Sequence, residues 1–429
     1  MSETPVPIPS GSVPAGTPAW SSADAARWTE AGPASWTRPV WSVPTLLITV
    51  IWAIAVEPVP RCSDAAPCGP DWSSMVQVGL AVGLLHWLAR LPELTLVAAP
   101  ALAAMVAWGE LPGADPMSRA ANLAVIAALL FGWAAARERL AARSRQQRLA
   151  GQAAGVRHRL PEPVGPLTRG GLPLAAGLVL GAVAAGAVVS GLNGIRAYEH
   201  HAARAKHIAA KVTGRGEETV RVRTDDGRPL TVGALYPEDY SLGSTVTVLE
   251  DDSWRRLAAE PYDAFGPQLL VLAAGLPALS LLTVGVLARR RAGALRRAPV
   301  PVLRALTLTD HEGRNWVYAA DDTAGRTPLF TCRCSVPLPD SDKKANRTGH
   351  DDDGGNEEEL PFVETRLHEA VVFGAPYDSG ELVLVTTDRA GHPITLHSGG
   401  PVRIPRTGRK PLLGSPATTD TGSDSPRPR

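Results

Sequence analysis

Lysine is nearly missing from this 429-residue chain: of its 43 basic residues only five are Lys and the rest are Arg. With abundant Ala, Gly and Pro, this bias points to a GC-rich bacterial genome rather than to a basic ligand, and no nucleic-acid signal accompanies it. Catalytic and nucleotide-binding signatures are absent as well. There is no Gly-x-Ser-x-Gly, phosphate loop, His-Glu-x-x-His, dinucleotide fingerprint or paired Cys-x-x-Cys. No pair of groups stands out as acid, base or nucleophile, so no enzyme, cofactor or metal site is expected. A secretory leader is also lacking. The first 41 residues are polar and rich in Pro, Ser and Ala, and the first apolar run has no basic start or small-residue cleavage site, so it is expected to remain as an anchor.

What the chain does have is six apolar segments, at 43–59, 74–89, 94–108, 120–136, 172–192 and 265–288. The last two are long enough to cross a bilayer unaided. With the N-terminus inside, Arg137, Arg139, Arg143, Arg145, Arg148, Arg157, Arg159 and Arg169 fall in one cytoplasmic connection. Arg289, Arg290, Arg291, Arg296 and Arg297 then follow the sixth span on the same side, as the preference of Arg for the cytoplasm requires. The second and third segments hold only about fifteen apolar residues, at the short end for crossing. A re-entrant hairpin is the alternative for them, and it leaves every other orientation unchanged. Trp41, Trp72, Trp87, Trp108 and Trp133 fall near span ends, where indoles favour the headgroup level, and Trp52 is mid-span. Gly79 with Gly83, and Gly177 with Gly181, are spaced for close helix approach, although general Ala and Gly abundance accounts for them equally well.

The segments carry little internal charge. Glu57, His86, Arg90 and Asn122 are the notable polar groups, and Glu57 and Arg90 are close enough to the ends to snorkel. Ion-coupled transporters bury ionisable groups mid-membrane, which argues against that class; His86, also near an end, is the exception worth testing.

Two polar regions show strand patterning. Beyond the fifth span, 195–210 continues with helical spacing as a stalk, and strands follow at 219–224, 230–232 and 245–249 around an Asp226-Gly227 turn. With Val212 they make a four- or five-stranded extracytoplasmic module. After the sixth span, period-two patterning recurs at 302–309, 315–319, 329–336, 369–373, 381–387 and 393–397. The expected organisation is therefore a disordered cytoplasmic tail (1–41), a four-helix membrane region (42–137), a basic connection (138–170) and the fifth helix (171–194). A stalk and β module (195–264), the sixth helix (265–288), a cytoplasmic β-rich domain (289–410) with a disordered insertion at 339–360, and a disordered end (411–429) complete it. The fold class is a membrane α-helical protein of about six transmembrane helices carrying a β-rich part on each face.

The stretch from Leu172 to Ala288 resembles a family of mainly actinobacterial membrane proteins of unknown function. The likeness lies in Ala209-Ala210-Lys211-Val212, in Val220-Arg221-Val222-Arg223-Thr224-Asp225-Asp226-Gly227 and in Tyr240-Ser241-Leu242-Gly243-Ser244-Thr245-Val246-Thr247-Val248. In that family two transmembrane helices bracket a small β module. The resemblance implies an envelope-facing module and transfers no catalytic residues.

Four groups of residues invite a chemical reading. Cys62 and Cys68, in the first outside loop, are candidates for a disulfide, with two free thiols as the alternative. Cys332 and Cys334 share a face of a cytoplasmic strand; they could form half a zinc site completed by His311, His350 or His368, but buried core cysteines fit better. Glu199, His200, His201 and His207 cluster on the stalk, where solvated histidines are commoner than a metal or pH sensor. Trp20, Trp28 and Trp36 recur every eight residues, suiting a disordered tail, docking on the inner membrane surface or docking of a partner. Asp351–Gly355 misses the spacing of a calcium loop, and the sequon Asn346-Arg347-Thr348 falls on the inner side. The leading functional expectation is a non-enzymatic plasma-membrane interaction or scaffold protein with both termini cytoplasmic. The alternatives are a transmembrane signal transducer and a transporter or channel component. Expected partners are the lipid bilayer and a protein at the outer β module, with no nucleic acid; homo-oligomerisation stays open.

Overall fold

A computed structural model describes residues 4–57, 62–64, 68, 72–161, 170–252, 254–260, 262–310, 312–335, 366–388, 391–398 and 401–405. The acidic insertion with its sequon and calcium-like run, the C-terminal end, His311 and His350 lie outside the described residues. The chain divides into two compact units. One comprises Ala34–Leu140 and Gly170–Val286, the other Met1–Pro33, Ala141–Arg169 and Leu287–Arg429.

The first unit holds the apolar helices α2 (Pro39–Val56), α3 (Trp72–Arg90) and α4 (Pro92–Gly109). It also holds most of α5 (Pro116–Ala154), α6 (Gly171–Arg204) and α7 (Phe265–Arg297). All six helices are long and apolar enough to cross a membrane by length and composition, as in a multi-pass membrane protein. Pro39 and Pro92 sit at the first position of their helices, where the missing N–H has no intrahelical partner to lose. The last three helices run well beyond their apolar stretches. At 1.5 Å rise per residue α7 is roughly 50 Å long, against about 30 Å of bilayer hydrocarbon.

Small residues set the contact of α6 with α7. A Cβ on Gly177 would meet the Leu282 side chain at 2.9 Å and its backbone N at 3.0 Å, and one on Gly170 would meet the Gly285 carbonyl oxygen at 2.4 Å. Gly181, the other half of that spaced pair, faces open space, so only one glycine of the pair serves packing. On α3, Gly79 lies under Leu272, whereas Gly83 accommodates Trp87 of its own helix. Trp87, near the end of α3, packs inward. It is buried, and its indole N–H donates to the Ser280 hydroxyl at 2.9 Å. Arg139 donates to the Leu88 and Ala89 carbonyls, at 2.5 and 3.3 Å, and so satisfies the end of α3.

Between α6 and α7 lies an antiparallel sheet of order β4-β3-β2-β5-β6, built from β2 (Lys206–Arg215), β3 (Thr219–Thr224), β4 (Pro229–Gly233), β5 (Thr245–Asp251) and β6 (Trp254–Leu257). The edge strands β4 and β6 approach one another, curling the sheet toward a barrel. Val212, Val220, Val222, Val232, Val246 and Val248 alternate into its core. The helix does not continue to residue 210 as the spacing predicts. It stops at Arg204, because Ile208 fits the helical series but also opens the period-two series Ile208, Ala210, Val212, and pairing of β2 with β5 selects the strand.

The second unit centres on a closed ring of six antiparallel strands: β7 (Val300–Thr309), β8 (Arg314–Tyr318), β9 (Pro328–Ser335), β10 (His368–Phe373), β11 (Val383–Thr387) and β12 (Pro393–Ser398). The order β7-β10-β11-β12-β9-β8 returns to β7, and β1 (Arg157–His158) adds to the start of β7. One face of these strands packs Leu303, Val317, Phe330, Val372 and Leu384; the other packs Val302, Val371, Phe373 and Val383.

The N-terminal tail is not disordered from residue 4 onward. Val6 bridges His368, Ala19 bridges Arg304, and α1 (Ser22–Glu30), capped by Ser21, carries Trp28 into the core beside Trp20. The two indoles pack edge to face at 5.7 Å and each meets Phe330 at about 6 Å. The expected solvent or lipid exposure of Trp20 and Trp28 is therefore corrected: they are 0% and 1% exposed. Part of the basic connection is helical: α5 runs to Ala154 and presents Ala142, Gln146, Ala150 and Ala154, four apart and all buried. Gln146 joins the tail to the barrel, its amide facing the Trp28 carbonyl at 3.5 Å and accepting from Asp378 N–H at 3.3 Å.

Candidate functional site

In the first unit the end of α6, the curled sheet and the approach to α7 line a cleft of about 560 Å³. Helical spacing puts Gly194, Ala197, Tyr198 and His201 along one wall, and strand alternation puts Trp254 and Arg256 of β6 on the same face as each other. Glu218, Glu260, Tyr262 and Asp263 complete the charged and aromatic lining.

Two glycines make the room. A Cβ on Gly194 would lie 2.1 Å from the Tyr262 hydroxyl, and one on Gly233 would lie 2.9 Å from the Arg256 guanidinium. The aromatic wall is locked by mutual packing. Tyr198 meets Trp254 edge-on at 5.4 Å, His201 stacks on the same indole at 5.4 Å, and the Tyr198 hydroxyl donates to the Glu260 carbonyl at 2.8 Å.

The charged groups divide into occupied and free. Glu260 is buried, and its carboxylate accepts the N–H groups of Leu235 and Tyr236 at 2.8 and 3.4 Å, pinning the chain after β4. Burial pushes its pKa up, opposed by those two N–H groups and the nearby Arg256 charge. Behind it the buried Tyr240 hydroxyl has no hydrogen-bond partner of regular geometry, and burial with the Glu260 charge pushes its pKa up. Asp251 accepts from His201 at 2.8 Å and from Arg204 at 3.4 Å, and the His201 bond is the main cause that holds its carboxyl below the usual range. Both donors lie in the last turn of α6, where positive charge suits the helix dipole. Asp263 accepts the Phe265 N–H at 3.0 Å at the start of α7. The side chains of Arg256 and Glu218 have no hydrogen-bond or ion-pair partner among the described residues.

Comparison of the chain with protein-family profiles, with curated proteins and with solved structures returns no match.

Of the residues singled out in the sequence, His201 alone enters the cleft. His200 lies beside it with rings 6.4 Å apart, Glu199 is exposed, and His207 stands on β2 rather than on the stalk helix. Cys62 and Cys68 are joined in a disulfide with Cα atoms 5.3 Å apart. The loop is tied to the small sheet: Cys62 N–H donates to Asp239 at 3.0 Å, Cys68 N–H to the Ala259 carbonyl at 3.0 Å, and Thr247 N–H to Asp64 at 2.8 Å. Cys332 and Cys334 bring their sulfurs to 3.3 Å. The Cys334 contact and burial raise the Cys332 pKa well above its ordinary value, while His368 is engaged by Thr387 at 3.1 Å. No cluster of three metal-ligating side chains occurs among the described residues.

Glu57 and Asn122 meet, with Gln77, Glu110 and Ser118, around a second cavity of about 120 Å³, where Gln77 donates to Glu110 at 3.1 Å. These side chains stand at or near helix ends. His86 is exposed on α3 and belongs to neither cavity. Sequence reasoning missed Tyr198, Trp254, Arg256, Glu260 and Tyr262, whose only local hint is an aromatic and charged run following a period-two segment.

Proposed function

We propose that this chain is a non-enzymatic plasma-membrane protein that senses a ligand or envelope state in the cleft of the small β module and transmits it through α7 to the barrel of the second unit. The observation that carries this reading is the continuity of α7. It starts directly after the cleft residues Tyr262 and Asp263, runs as one helix to Arg297, and through Arg291 donates to the Ser379 carbonyl at 2.6 Å. Arg143 of α5 donates to the Ser379 hydroxyl at 3.2 Å, so two helices hold one turn of the barrel unit. Ser379 has φ 70, a conformation a non-glycine residue keeps only where its surroundings enforce it. A rotation or axial shift of α7 would act on that turn.

In this reading the six helices span the plasma membrane with both termini cytoplasmic, as the Arg clusters at 137–159 and 289–297 favour. The Cys62–Cys68 bridge, tied to the small sheet, favours an oxidising outer side for that module. The kinship with the actinobacterial family is part of the same proposal and rests on the residues of the small sheet.

The test uses Gly194→Ala in the full chain in lipid nanodiscs, since the added methyl must displace Tyr262. Amide exchange in residues 376–387 is expected to change in this variant, and Arg291→Gln is expected to abolish the change. Exchange there that is identical in the parent and Gly194→Ala proteins would remove the case for transmission and leave the scaffold reading.

A further inference from the structure

We propose that the cleft of the small β module takes a zwitterionic aminophosphate group, with the phosphate on Arg256 and the ammonium between Glu218, Asp263 and the aromatic wall. The proposal rests on reading that cleft as the sensing site and names its ligand.

Three observations converge. The first is level. Gly194 follows the apolar run of α6 within one turn and Tyr198 within two, Asp263 precedes the apolar run of α7, and Trp72 and Pro267 lie against Gly191 one turn before Gly194. An indole and a Tyr-rich rim at the ends of two apolar helices mark the depth at which lipid headgroups lie. The second is charge. Arg256 interacts with the Glu260 charge but makes no hydrogen bond among the described residues, leaving the donor geometry best suited to a phosphate, while Glu218 offers a carboxylate with no hydrogen-bond partner among them and Asp263 keeps one oxygen free of the Phe265 N–H. A simple anion would meet Glu218, Glu260 and Asp263, and a simple cation would meet Arg256; a ligand carrying both charges satisfies the two ends. The third is the wall. Tyr198, Trp254 and Tyr262 line the cleft and are held by their mutual contacts, with centroids 5.4 and 6.4 Å from Tyr198, and aromatic rings attract an ammonium group. A cleft of about 560 Å³ is ample for such a headgroup and falls in the range of small-molecule sites.

A phospholipid and a soluble metabolite can present the same chemistry, so the test separates them. Full-length protein in nanodiscs of phosphatidylglycerol is titrated with short-chain phosphatidylethanolamine, with short-chain phosphatidylglycerol and with free phosphoethanolamine, and Kd is measured calorimetrically. The aminophospholipid is expected to bind at least about tenfold tighter than the phosphatidylglycerol probe, with Arg256→Gln and Glu218→Gln each weakening it about tenfold. Gly181→Ala, on an open helix face, should leave Kd unchanged. Free phosphoethanolamine binding as tightly as the lipid would support the same chemistry with a soluble source. Equal affinity for the two lipids, no binding of either amine probe, or indifference of Kd to both substitutions would overturn the proposal. Arg256 and Glu218 are exposed, so amide exchange over 206–257 verifies that both variants remain folded. Binding without altered exchange at 376–387 would sink the transmission reading alone, and altered exchange in Gly194→Ala without amine binding would sink the ligand assignment alone.

Discussion

Replacing Trp28 by Ala tests how the second unit is assembled. The indole is 1% exposed, packs edge to face on Trp20 and against Phe330, and donates to the Pro376 carbonyl at 2.9 Å. A buried Trp removes roughly 200 Å² from water, about 5 kcal/mol at about 25 cal/mol per Å². Large-to-small core substitutions at aromatic positions destabilise by about 3–5 kcal/mol, which agrees. Stability of a domain is typically about 5–15 kcal/mol, so one substitution removes a large fraction and Trp20→Ala with Trp28→Ala should unfold the barrel. Trp36, 43% exposed and in contact with Phe131, is the control, with about 1 kcal/mol at stake. The assay is amide exchange on the full chain in nanodiscs, read over β7, β8 and β10. Protection there should collapse in the double variant and persist in Trp36→Ala. If Trp28→Ala and Trp36→Ala behaved alike, the N-terminal segment would be an appendage rather than part of the core.

Three further outcomes follow from the same geometry. The Trp20 indole N–H is buried without a partner whereas that of Trp28 is bonded, so Trp20→Phe should destabilise the barrel less than Trp28→Phe in parallel thermal melts. Because the folded pKa of Glu260 lies above its usual value, its contribution to stability is present below about pH 4.5 and is lost as pH rises through the folded pKa. Glu260→Gln should therefore flatten the loss of stability of the small sheet with rising pH; an unchanged pH profile would contradict the assigned burial cost. Gly170, at φ +83 and against the Gly285 carbonyl, should lose about 1–2 kcal/mol or more on conversion to Ala, whereas Gly181→Ala should be tolerated, as compared by melting in detergent.

Local pattern made part of this fold legible. The six apolar helices are announced by long runs with little charge, and the strands of the second unit by alternation that the ladders reproduce to within a residue or two at most ends. The N-terminal segment escaped because Pro5, Pro7, Pro9, Pro14 and Pro18 read as disorder, while what orders it is remote: Trp20 N–H bonds the Arg304 carbonyl and Ser22 bonds Asp321, some 300 residues away. The second half of α5 was hidden by its arginines, although the buried stripe Ala142, Gln146, Ala150, Ala154 is a helical signature in plain sight. The helical spacing of Ala202, Ala205 and Ile208 runs on past Arg204, whereas Ile208, Ala210 and Val212 already follow the strand period of β2. The cleft was illegible for a different reason. Its wall is assembled from α6, β6 and the residues before α7, and the pairing of β6 with β5, whose Asp251 holds His201 of α6, brings Trp254 to Tyr198.

The proposed transmission along α7 requires the small sheet and the barrel to face opposite sides of a membrane, and sidedness tests it most directly. Asp225→Cys in the exposed turn of the small sheet and Arg326→Cys on the barrel unit are probed in intact cells with a membrane-impermeant maleimide. The account predicts labelling of the cysteine at 225 in intact cells and of the one at 326 only after permeabilisation. Labelling of both, or of the cysteine at 326 alone, before permeabilisation would contradict it.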